Sequence, residues 1–173
     1  GLSLDRVNPA ATPFDNTTAV TANLSSSVTG VAIDAISTVT YVSGSSTSLA
    51  HTVGTSDNRL LLVGISTRDR SVTSVTYSGS PMILVGTITN GIDARITIYR
   101  LINPPSGTAN VVVNFSGSTS KGAVISATSF RGVDQTDPLR TFNSAIGTST
   151  TPSVSISSVA GDLVYDVLSK RNT

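Results

Sequence analysis

From Ile36 onward the chain alternates apolar and polar residues with a period of two, and the alternation stops at short intervals in a turn. That period belongs to strands with one buried face, because successive strand side chains point to opposite sides. The stops are chemically explicit. Gly54 to Asn58, Ser78-Gly-Ser-Pro81, Asn90-Gly91, Asn103-Pro-Pro-Ser-Gly107 and Ser116-Gly117 all carry residues that tolerate or preset turn dihedrals. Connections this short cannot hold the dozen or more residues of a parallel crossover, so neighbouring strands are expected to pair antiparallel.

Strands are predicted near Val39 to Ser43, Leu60 to Ser66, Val72 to Tyr77, Met82 to Ile88, Arg95 to Leu101, Ala109 to Phe115, Ala123 to Phe130, Val154 to Ser157 and Leu163 to Leu168. This makes about nine, stacked as an all-β antiparallel β-sandwich or jelly roll. Alternation turns Ile96 and Ile98, Val111 and Val113, Val124 with Phe130, and Leu163 with Tyr165 and Val167 inward. Leu60-Leu-Leu-Val63 is apolar on both faces, as a central covered strand requires. The Ser/Thr/Asn-rich segment Gly1 to Gly30 has only short apolar patterns and is expected to be an extended arm or linker, leaving 31–173 as the β-sandwich domain.

Composition narrows the functional classes. Ser and Thr make up 53 of the 173 residues, Glu is absent, and Gln135, Lys121 and Lys170 are the only Gln and Lys. Good surface helix formers are thus nearly missing. A net charge of +1 with 12% charged residues offers no footprint for nucleic acid or an anionic membrane surface. No apolar run approaches the roughly 20 residues needed to span a bilayer. The absence of cysteine removes disulfides, thiol nucleophiles and zinc–thiolate sites. Surfaces rich in Ser and Thr and poor in Lys and Glu are common in exported proteins, so an extracellular or cell-surface location is expected. A chain that opens on Gly rather than Met is expected to have lost an upstream segment.

Candidate chemistry is sparse. His51, the single histidine, could be drawn into a Ser-His-Asp arrangement with almost any serine, and that abundance empties the match of meaning. Asp57, Asp69, Asp93, Asp134 and Asp137 fall in predicted loops or at strand ends, where calcium sites can be assembled but where Asp more commonly caps its own turn. Arg59, Arg68, Arg70, Arg95 and Arg100 are scattered. Asn16, Asn23 and Asn114 head glycosylation sequons. No catalytic, cofactor-binding or metal-ligating residue is assigned, and the chain is expected not to be an enzyme.

From about Ala50 the chain resembles a group of poorly characterised bacterial extracellular β-sandwich domains found in large, repetitive, adhesin-like cell-surface proteins. The resemblance is carried by Asn58-Arg-Leu-Leu-Leu-Val-Gly-Ile-Ser66, Val72-Thr-Ser-Val-Thr-Tyr77, the run from Tyr99 to Val113, Ser129 to Leu139, and Gly161-Asp-Leu-Val-Tyr-Asp-Val167. It implies a non-catalytic structural module in adhesion or surface architecture. Domains of this kind usually continue for several strands beyond the equivalent of Asp166, so the sandwich is expected to be truncated or completed by a strand from another subunit. The arm from Gly1 to Gly30 is the candidate donor, which would join identical subunits into a homo-oligomer or homopolymer. Two alternatives share the architecture: a carbohydrate-binding module, whose glycan would need exposed aromatics drawn from Tyr41, Tyr77, Tyr99 and Tyr165, and a viral capsid or decoration subunit.

Overall fold

The computed structural model describes residues 17–24, 30–91 and 94–169. The fold is all-β and antiparallel, with ten strands and no helix among the described residues. Two strands dominate it. β2 (Ala32–Val53) has 22 residues and β8 (Gly107–Arg131) has 25, several times the usual five or six. They pair from Ala32↔Arg131 to Val53↔Gly107. The other edge of β8 is divided: β4 (Val72–Tyr77) takes the stretch Val111 to Phe115, and β3 (Leu60–Thr67) takes Ala123 to Phe130. β5 (Ser80–Pro81) extends β4, while β7 (Ala94–Ile102) and then β6 (Ile83–Asn90) extend β3.

Both long strands bend at mid-length, where their register shifts at Val42, Gly44 and Ser46. Gly44 has φ of 119°, which a side chain would oppose. Opposite it, the buried Thr119 shares its Oγ1 proton between the carbonyls of Val42 (3.1 Å) and Gly44 (3.3 Å). The corner between β3 and β4 is tied to the same place. Arg70 Nε donates to Ser118 O at 3.1 Å, and Asp69 Oδ2 accepts from both the amide (2.9 Å) and the hydroxyl (2.7 Å) of Ser120. Burial alone would raise the Asp69 carboxyl, but these Ser120 hydrogen bonds hold it below the usual carboxylate range.

The bend brings the sheet over onto itself as a nearly closed, barrel-like sandwich. Val111 and Val113 from the first half of β8, with Val75 and Tyr77 from β4, pack against Leu61, Val63 and Ile65 of β3 and Ile125 of the second half of β8. Each such buried aliphatic contributes about 1.5–3 kcal/mol. A second core lies on the opposite face of β3 and β7, where Leu60, Leu62, Ile96, Ile98 and Phe130 meet Tyr165. It is covered by a three-stranded sheet of order β10-β1-β9, built from β1 (Thr17–Leu24), β9 (Leu139–Gly147) and β10 (Leu163–Ser169). Having a core on each side, β3 needs no polar face, so Leu60 to Val63 does not alternate.

Three details of the sequence-based map are corrected. The stretches Ala109 to Phe115 and Ala123 to Phe130 are one strand, and Ser116-Gly117 is its bend instead of a hairpin turn, because β2 runs beside both halves. Val39 to Ser43 is the middle of β2. Val154 to Ser157 is not a strand; this segment runs beside β9, where Ser155 O accepts Asn143 Nδ2 at 2.7 Å. Within the expected arm, Thr17–Leu24 is a strand of the small sheet, and residues 1–16 and 25–29 lie outside the described residues.

Candidate functional site

His51 lies on the second half of β2 and is 1% exposed. Its Nδ1 is 2.9 Å from Ser37 Oγ on the first half of the same strand, so a single side-chain contact spans the two layers. Next to it, Asp34 Oδ2 accepts from Gly54 N (2.7 Å) and Ser129 Oγ (2.8 Å). The Tyr77 ring meets His51 edge-on at 6.3 Å, and its hydroxyl donates to Gly107 O at 2.9 Å. Burial holds His51 below its ordinary pKa, against a smaller opposing pull from the Asp34 charge. This is a clasp across the mouth of the sandwich, opposite the bend. As a triad it is incomplete, because Asp34 Oδ2 is occupied by Gly54 and Ser129, and the imidazole is sealed from solvent.

The loop carboxylates are dispersed. Asp134 Oδ1 accepts the amides of Thr136 (2.8 Å) and Asp137 (3.1 Å), which cap the turn and hold its carboxyl below the usual range. Asp69 serves the bend, Asp57 and Asp137 are exposed in loops, and Asp93 lies outside the described residues. Among the described residues no three His or Asp side chains gather closely enough to hold a metal ion. Arg59 instead joins two loops at the mouth, donating through Nε to Pro104 O (3.0 Å), through Nη1 to Ser56 O (2.8 Å) and through Nη2 to Asn103 Oδ1 (2.9 Å). A third loop reaches the same residue, as Gln135 Nε2 donates to Arg59 O at 3.2 Å. Asn114 of β8 donates through Nδ2 to Ser74 Oγ of the neighbouring β4 at 2.9 Å. Asn16 lies outside the described residues. Tyr77, Tyr99 and Tyr165 are all buried, which withdraws three of the four tyrosines from any sugar-stacking platform.

The arrangement with the clearest functional geometry is the slot that holds β1. This strand pairs without interruption to β10, from Thr18↔Ser169 to Leu24↔Leu163. Its other edge pairs to β9, from Thr17↔Gly147 to Ala22↔Phe142, before a register shift at Leu24↔Leu139. β9 and β10 make no ladder with each other, so the middle position of the sheet depends on a segment more than a hundred residues away in sequence. The floor of the slot is shaped by glycines. A methyl group at Gly64 would stand 2.6 Å from Val167 Cγ2 and 2.7 Å from Tyr165 Oη, and one at Gly86 would collide with the Phe142 ring. Ala22, fully buried, lies in the cross-strand row between Tyr165 and Phe142. Sequence reasoning saw the arm as an extended segment or linker that could donate a strand to another subunit, and did not place Thr17–Leu24 in this sheet, because no local pattern specifies a partner at that separation. No known protein family, curated protein or solved structure matches the chain.

Proposed function

We propose that the chain is a non-catalytic structural subunit of an extracellular surface filament or adhesin-like assembly, joined to identical copies by strand addition. The observation that carries this is the two-sided insertion of β1 between β9 and β10. A strand paired along both edges by ladders can be supplied by a neighbour with the same contacts, and head-to-tail supply that does not close gives a filament. The Ser/Thr-rich composition with no Glu and two Lys supports the extracellular setting. Because the chain has no cysteine, a Thr21→Cys/Asn143→Cys variant tests the idea directly across a cross-strand pair. Oxidation should give a disulfide-linked ladder of multimers on non-reducing gels, with fibres in the electron microscope. A product that is wholly intramolecular would sink strand addition between copies.

A further inference from the structure

The row Tyr165–Ala22–Phe142 sets a small residue between two aromatic ones. Both rings point toward the main sheet and are seated where it lacks side chains: the Tyr165 hydroxyl over Gly64 and the Phe142 ring over Gly86. Tyr165 is held further by the Phe130 ring, edge-on at 6.1 Å. Neither ring can descend, since a single added methyl at either glycine would already overlap it. The space left for the middle strand at this row is what Ala22 fills, with no exposure remaining. A slip of one residue in either direction would bring Thr21 or Asn23 into the row and turn the whole strand over.

We propose that this row is a size filter that fixes the identity and register of the strand entering the slot. Resting on the strand-addition reading above, the occupant it selects in an assembly is Thr17–Leu24 of a second copy of this chain, and position 22 is the specificity-determining residue. A strand with a larger inward residue there is refused, because interiors packed to this density accept extra methylenes only by displacing neighbours.

Hydrogen exchange on the full chain tests this. Ala22→Leu should accelerate exchange of the β9 and β10 amides at least tenfold while Leu60 to Thr67 in β3 keeps its protection, and Ala22→Ser should match the wild type. Wild-type protection of β9 and β10 in Ala22→Leu would overturn the filter. If β3 also loses protection in Ala22→Leu, the double variant Ala22→Leu/Phe142→Ala decides: recovered protection supports the filter, and no recovery overturns it. Failure of the assembly itself is read separately, because a purely intramolecular disulfide in Thr21→Cys/Asn143→Cys would remove the second-copy donor without altering these exchange rates.

Discussion

His51 shows how far apart a residue's sequence neighbours and its structural partners can be. In sequence it precedes Gly-Thr-Ser-Asp57, yet its partners are Ser37, brought back by the bend in β2, and Tyr77 of β4, with the Asp34 charge acting on it. Its Nε2 is buried with no partner, so an imidazolium would bury an unanswered N–H. Folding therefore favours the neutral ring. The unfolded chain binds a proton near pH 6.5, and the folded chain binds it only at lower pH. Stability is thus complete above about pH 6.5 and falls as the pH drops through that value toward the folded pKa. Urea midpoints measured between pH 7.5 and 5 should decline in the wild type and flatten over that window in His51→Gln. Equal slopes for the two proteins would show that other groups govern the decline. At Gly86 the constraint is steric. Gly86→Ala should cost about 1–3 kcal/mol as the Phe142 ring is driven from its seat, and pairing it with Phe142→Leu should recover part of that loss in thermal melts.

Elements were legible where one strand sees one environment. β3, β4, β7 and β10 fall close to their predicted bounds, because period-two alternation and turn residues are local signals. β8 was not. Its middle, Ser116 to Gly122, carries Gly and Ser that resemble a hairpin turn, and only the continuous β2 alongside makes it a bend. The clasp was equally hidden, since Asp34 and Ser129 are 95 residues apart. The bend itself is testable at Thr119. Thr119→Val keeps the shape but withdraws the proton shared by the carbonyls of Val42 and Gly44. The expected loss is about 1–3 kcal/mol, seen as a lower urea midpoint at unchanged slope, together with faster exchange confined to the bend. Unaltered stability would mean that the sheet ladders alone hold the corner.

At the scale of the whole molecule, the two cores differ in how they are held. The first is enclosed by β2, β8, β3 and β4, whose ladders are long and whose corner is cross-tied by Asp69, Arg70 and Thr119. The second is covered by three short strands whose middle member arrives from the N-terminal segment. Withdrawing β1 removes both ladders of the small sheet at once and leaves the barrel-like sandwich intact, so the small sheet should open as a unit of its own. Native-state exchange in low urea should place the Tyr165 and Val167 amides in an opening with shallow denaturant dependence, at least about 2 kcal/mol below that of Val63 and Ile125. Coincident openings for the two sets would make the molecule a single cooperative block. A separate opening is also what strand exchange demands, because a copy must release its own β1 to accept another without unfolding the sheet on which Ala22 is measured.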